Sequence, residues 1–141
     1  RAGVGLRTGM RNQLPCAVQS ITEAQGIAAV RLALPDGQML QSRITLESLQ
    51  LLGLAPGLPV LALCKATAVT VAPTIVAVGG VNLLRGTVAR RAAGGAGLEV
   101  ALQLNLGQSL VGFADAGSPL RLRAPAMAAV DQNAVVIGLI G

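Results

Sequence analysis

An all-β fold with one short helix, arranged as two tandem five-stranded barrels, is what this chain of 141 residues predicts. Three observations predict it. Apolar and polar residues alternate in short runs bounded by Gly, Pro, Asn and Asp, which is the period of strands. Only Leu46 to Leu52 carries helix signals. The chain also repeats itself: Asn12-Gln13-Leu14-Pro15-Cys16-Ala17-Val18 aligns with Asn82-Leu83-Leu84-Arg85-Gly86-Thr87-Val88 at a constant offset. At that same offset Val30, Leu32, Leu34, Gly37, Gln38 and Leu40 fall on Val100, Leu102, Leu104, Gly107, Gln108 and Leu110, so two copies of one small fold are expected.

Residues 1 to 9 are rich in Gly and Arg and read as a linker from an upstream region. Pro15 to Ile21 and Ile27 to Leu34 are β-branched and alternating, and Pro35-Asp36-Gly37-Gln38 turns into a third strand, Met39 to Ile44. Thr45 caps the helix, Leu46 to Leu52, with Glu47 in its first turn, Leu46, Leu49 and Leu52 on one side and Gly53 at the stop. After the Pro56-Gly57 turn, Leu58 to Lys65 and Thr67 to Ala72 close the first repeat, residues 10 to 72. Five strands and one helix in this order make an OB-like barrel. Residues 73 to 80, Pro-Thr-Ile-Val-Ala-Val-Gly-Gly, are short and apolar, so the joint between repeats is expected to be packed and the two barrels to move as one body. The second repeat, residues 81 to 141, has strands at Leu83 to Arg91, Leu98 to Leu104, Ser109 to Ala114, Arg121 to Met127 and Ala134 to Ile140. Its helix is shortened or absent, because Ala116-Gly117-Ser118-Pro119 stands there.

Composition narrows the class. With 52% hydrophobic and 12% charged residues the chain folds rather than staying disordered. Phe113 is the only aromatic ring, so the core is built from Leu, Val, Ile and Ala. A unit near 65 residues buries only roughly 60% of its unfolded surface, so the copies are expected to pack on each other and on a partner chain. The net charge of +5 raises the question of nucleic acid. The arginines are dispersed without interleaved aromatics, only Arg90 and Arg91 being adjacent, so no direct nucleic-acid contact is expected. Lys65, Pro73, Gly79 and Gly80 interrupt the longest apolar run, which excludes a membrane-spanning helix. Cys16 and Cys64 lie in apolar, strand-like surroundings, and there is no histidine. Free buried thiols in the cytoplasm are expected, and zinc or iron–sulfur sites are not. The six acids, Glu23, Asp36, Glu47, Glu99, Asp115 and Asp131, have no paired spacing suited to acid–base work, so no catalysis is expected. The start, Arg1-Ala2-Gly3-Val4-Gly5, has neither an initiator Met nor a signal-peptide pattern, and further sequence upstream is expected.

The chemistry points to an oxyanion. Arg11 and Lys65 offer fixed positive charge, and Thr45 and Ser48, three apart, place two hydroxyls at the first turn of the helix. Donors of this kind suit a small dianion, which offers acceptors only.

Met10-Arg11-Asn12-Gln13-Leu14, Ile44-Thr45-Leu46-Glu47-Ser48 and Cys64-Lys65-Ala66-Thr67-Ala68-Val69 resemble the molybdate-binding Mop/TOBE domains. The family pattern runs Ser-Ala-Arg-Asn, then Ile-Thr-x-x-Ser, then Lys-Ala-x-x-Val, and the resemblance covers residues 9 to 72. It implies molybdate or tungstate as the ligand, with no organic cofactor. The implied ligands are Arg11, Thr45, Ser48, Lys65 and the main chain of Ala66, with Gly9 where the family has a serine. One hydroxyl donor is lost there unless the Gly9 N–H or a water replaces it, and the loss costs roughly 1.5 to 3 kcal/mol at most. The resemblance also implies a homodimer, in which the Arg/Lys side comes from one subunit and the Thr/Ser side from its mate.

Tandem copies resemble both the effector half of the ModE-type transcription regulators and the free-standing di-domain molbindins. In the second repeat Arg11 aligns with Val81 and, after a short gap between Ser118 and Asp131, Lys65 aligns with Asp131, so both site cations are lost. A degenerate second copy that serves structure and dimer contacts favours the effector domain of a ModE-type regulator with a DNA-binding domain upstream. A cytoplasmic molbindin for molybdate storage, or a non-binding TOBE module of a transporter ATPase, is the alternative. Asn12 and Asn82, kept in both copies while the cations are not, read as turn or strand-start residues rather than ligands.

Overall fold

Alternation of buried and exposed side chains sets the first three strands of the computed structural model, which describes residues 9–94 and 97–140. The expected linker therefore lies outside the described residues except for Gly9. In β1 (Asn12–Ala24), Asn12, Leu14, Cys16 and Val18 point inward. Ala28, Val30 and Leu32 do so in β2 (Ile27–Ala33), and Leu40 and Ser42 in β3 (Met39–Thr45). Helix α1 (Leu46–Leu52) begins where the Thr45 hydroxyl oxygen accepts from the Ser48 N–H. It ends at Gly53, whose φ of 62° is left-handed and free of Cβ strain. Next, β4 (Pro59–Cys64) is buried at every residue from Val60 onward, as a strand covered on both faces must be. A 3₁₀ turn, Ala66–Ala68, leads into β5 (Val69–Ala72).

The second repeat supplies β6 (Val81–Gly94), β7 (Gly97–Gln103), β8 (Ser109–Ala114), β9 (Pro125–Asp131) and β10 (Val136–Leu139). Where the first repeat has its helix, a turn closed by Ser118 N–H on the Asp115 carbonyl stands instead. The fourth strand of this repeat, read from the sequence as Arg121 to Met127, begins four residues later at Pro125. The cause is a turn at Arg121–Ala124, in which Arg123 adopts a φ of 69° at the place where the first repeat has Gly57. An arginine carries no turn signal, so the sequence hid it.

The last strand of each repeat crosses to the other. One sheet runs β10-β4-β1-β2-β3 and the other closes as a barrel, β5-β8-β7-β6-β9. Thus β10 pairs with β4, while β5 pairs antiparallel with β9 and parallel with β8. Residues 10 to 72 and 81 to 141 repeat in sequence, but each completes its sheet with a strand from the other.

Only the second sheet closes by a hydrogen-bonded ladder, and one pair of equivalent positions differs at the seam. At Gly112 on β8 an added Cβ would lie 2.6 Å from Val69 Cγ1 and 2.7 Å from the Val69 carbonyl oxygen, so the bare backbone lets β5 come close and closes the ladder. The corresponding position on β3 is Ser42, whose hydroxyl donates to the Val135 carbonyl at 2.6 Å. No ladder joins β3 to β10, and that seam is bridged by the serine side chain.

Paired amides lock the repeats together. Asn12 donates to the Val111 carbonyl at 2.8 Å and accepts from the Val111 N–H at 2.7 Å, while Asn82 does the same with Gln41 at 2.8 and 2.7 Å. Gln38 likewise holds both backbone groups of Arg85. Each asparagine is buried and stands at the start of its strand, satisfying the backbone of the opposite repeat. Around them a single apolar cluster runs through both halves, including Leu32, Val60, Leu84, Val100 and Leu102. Each such side chain contributes about 1.5–3 kcal/mol on burial.

The joint departs from expectation. Val76 is 85% and Val78 63% exposed, so the segment is not packed into the core. Both β5 and β6 run antiparallel to β9, so the chain must travel back along the barrel surface between them. The exchanged strands and amide locks, rather than a buried joint, couple the halves.

Candidate functional site

Register brings the two candidate cations together. Pairing of β1 with β4 sets Asn12 opposite Cys64. Arg11 and Lys65, the next residues outward on each side, therefore stand at the same end of the sheet. Both are exposed. Asn12 fixes this end: its amide also lies 3.7 Å from Cys64 Sγ, in addition to the two bonds to Val111. Ala66 is buried directly after Lys65 and opens the 3₁₀ turn.

Arg11 is held by Glu99 of β7 through two hydrogen bonds, at 3.0 and 3.1 Å, and Arg90 approaches the same carboxylate at 3.4 Å. The hydrogen bond from Arg11 holds the Glu99 carboxyl below its usual pKa, and the carboxylate in turn raises that of Arg11.

The hydroxyl pair assembles elsewhere. Thr45 donates to Ser48 Oγ at 3.0 Å while accepting the Ser48 N–H at 3.1 Å. Both line an open cleft of roughly 570 Å³ along the serine-bridged seam, together with Arg43, Leu51, Asn133 and Val136. Neither Arg11 nor Lys65 lines this cleft. Within one chain the fold thus brings Arg11 to Lys65 and Thr45 to Ser48, but does not merge the two pairs. Gly9 is exposed with nothing within 4 Å of a would-be Cβ.

The second repeat keeps the frame and reverses the charge. Val81 pairs with Asp131, the positions equivalent to Arg11 and Lys65, and the Asp131 carboxylate caps the following turn through the Asn133 N–H at 2.7 Å. Asp115 and Ser118, equivalent to Thr45 and Ser48, line a second cleft with Thr70, Pro73 and Phe113. Acid therefore replaces both a lysine and a threonine, and an anion is disfavoured at either place. Sequence reading found the loss of the cations. It missed Asp115, which the constant offset of the repeats makes visible, and it missed Glu99, which no local spacing connects to Arg11.

The thiols of Cys16 and Cys64 are free and buried. Burial pushes the Cys16 pKa up to about 11 and raises that of Cys64 as well. Among the described residues no group of three or more His, Cys, Asp or Glu is placed to hold a metal ion, and no helix is long and apolar enough to cross a membrane.

Comparison with known proteins finds likeness to a domain family, to curated proteins and to a solved structure. Residues 8–71 match the TOBE domain. The molybdenum-pterin-binding protein MopA of Rhodobacter capsulatus is 41% identical over 106 residues, covering 70% of this chain and 38% of its own length. MopB of the same organism is 38% identical over 112 residues, covering 77% of this chain and 41% of its own length. The chain spans about two fifths of the length of these curated relatives. Among solved structures, the cytoplasmic molybdate-binding protein ModG with molybdate bound superposes with a TM-score of 0.85 at 27% identity. That match covers 95% of this chain and 99% of ModG.

Proposed function

From the premise that residues 8–71 are a TOBE domain, we propose that this protein is a molbindin: it binds molybdate or tungstate in the cytoplasm and holds the anion in store. The observation that carries the reading is the placement of Arg11 and Lys65 at one end of the sheet by the Asn12–Cys64 register. Two fixed charges there compensate a dianion, and the main chain of Ala66 adds a donor. Thr45 and Ser48 lie in a cleft that neither cation reaches, so the site is completed by a second copy of the chain, whose hydroxyl pair closes over the anion. A homodimer or larger ring follows from that division. The second repeat, with Asp131 and Asp115 at the equivalent positions, serves the frame and the contacts between subunits.

The regulator role expected from the degenerate second repeat gives way to storage. ModG, described as a cytoplasmic molybdate-binding protein, is covered to 99% by a match that takes in 95% of this chain, which supports the storage reading.

Isothermal titration of dialysed protein with molybdate, followed by sulfate, tests the reading. Saturable molybdate binding that sulfate fails to displace is expected, and a Lys65→Ala variant should bind at least tenfold more weakly through loss of a charge-assisted contact. Parent protein that gave no heat with molybdate, or a Lys65→Ala variant as tight as the parent, would reject it.

A further inference from the structure

Arg11 is already occupied. Its two terminal nitrogens grip both oxygens of Glu99, at 3.0 and 3.1 Å, in the forked geometry that a guanidinium also offers to a tetrahedral oxyanion. The contact is set by the fold and not by a chance loop meeting. Glu99 is the third residue of β7, opposite Phe113 of β8, and Asn12, next to Arg11, is bonded to Val111 of the same β8. The Glu99 side chain is 22% exposed against 50% for Arg11, so the carboxylate is the fixed member and the guanidinium the movable one. Its counterpart in the first repeat is Ala29, so the second repeat alone brings this acid. Arg90 leans on the same carboxylate at 3.4 Å and supplies it with a partner if Arg11 leaves.

A carboxylate and a dianion ask for the same donors of Arg11. Either the anion displaces Glu99, or it must settle beside a second negative charge, and both outcomes cost affinity. We propose that Glu99 sets the affinity of the oxyanion site by competing within the same chain for Arg11, holding that guanidinium satisfied when no anion is present and raising the concentration at which the protein loads. This rests on Arg11 being an anion ligand, as proposed above. It assigns the degenerate repeat a role in tuning the binding repeat.

The test is isothermal titration with molybdate, at fixed low ionic strength, of four proteins: the parent, Glu99→Gln, Arg11→Ala and the double variant. Glu99→Gln keeps the size of the side chain and should bind about three- to tenfold more tightly than the parent. In the Arg11→Ala background the same change should alter affinity less than twofold, because the competition is over Arg11. Equal or weaker binding by Glu99→Gln overturns the proposal, as would an unchanged gain in the Arg11→Ala background, which would make the effect one of general charge. Those results leave the oxyanion site standing. A parent that fails to bind molybdate removes the site itself.

Discussion

Gln108 donates its amide to the Pro15 carbonyl at 2.8 Å and receives nothing in return, leaving its Oε1 buried without a partner. The equivalent pair in the other half, Gln38 and Arg85, is complete, because the Arg85 N–H donates to Gln38 Oε1 at 2.7 Å. Proline has no N–H to give.

Restoring that N–H should show as a favourable coupling. Pro15→Ala in the parent gains a hydrogen bond to a buried acceptor but loses the entropic benefit of proline, terms of about 1 kcal/mol each with opposite sign. In a Gln108→Ala background only the loss remains. A double-mutant cycle by urea unfolding should therefore give a coupling near 1 kcal/mol. Zero coupling would mean that the alanine N–H does not reach Gln108.

Asn12→Ala and Asn82→Ala should each cost about 2–4 kcal/mol, since each strands a backbone N–H and C=O of the opposite repeat away from water. Asn12→Ala should also weaken molybdate binding, because the residue fixes the strand end that carries Arg11, whereas Asn82→Ala should leave binding near the parent value. Denaturant midpoints and titration read the two effects separately. Equal binding losses in the two variants would contradict the assignment.

Exchanging the seam residues should be asymmetric. Gly112→Ser forces a Cβ to within 2.9 Å of Val69 and should cost more than about 2 kcal/mol. Ser42→Gly removes one hydrogen bond, about 1 kcal/mol, along with some strand propensity. Thermal melting of both variants gives the comparison, and a Gly112→Ser protein as stable as Ser42→Gly would show that the barrel yields at that point.

Stability should fall as pH climbs from about 9 towards about 11. In the folded chain burial raises the Cys16 thiol to about 11 from an ordinary value of 9.0. Unfolded chains ionise first, and the advantage present below pH 9 is lost through that interval. Cys16→Ala should flatten this part of the profile. The native protein at pH 8 should also resist alkylation at both cysteines until denaturant is added, as followed by mass spectrometry.

How far the sequence spoke depended on how local each cause was. The helix from Leu46 to Leu52 was legible to the residue, because Thr45 and Gly53 are caps that act on their own neighbours. Arg11, Thr45, Ser48 and Lys65 could be put forward as ligands because family spacing survives in a linear chain. The hidden features have distant causes. Strand exchange leaves no mark on alternation, since β5 and β10 alternate buried and exposed residues as any half-covered strand does. The apolar joint misled, because Val76 and Val78 suggest burial while the path between two parallel strands keeps them outside. Glu99 meets Arg11 across 88 positions of sequence, a distance that no pattern spans.

Because each half finishes the other's sheet, neither copy has a complete sheet by itself. Deleting the charge-reversed copy would leave β4 with a bare edge and β5 with no ladder to enter. The second repeat also lends Asn133, Val135, Val136 and Ile137 to the cleft beside Thr45 and Ser48, so changes at those four positions reshape the first repeat's surface as well.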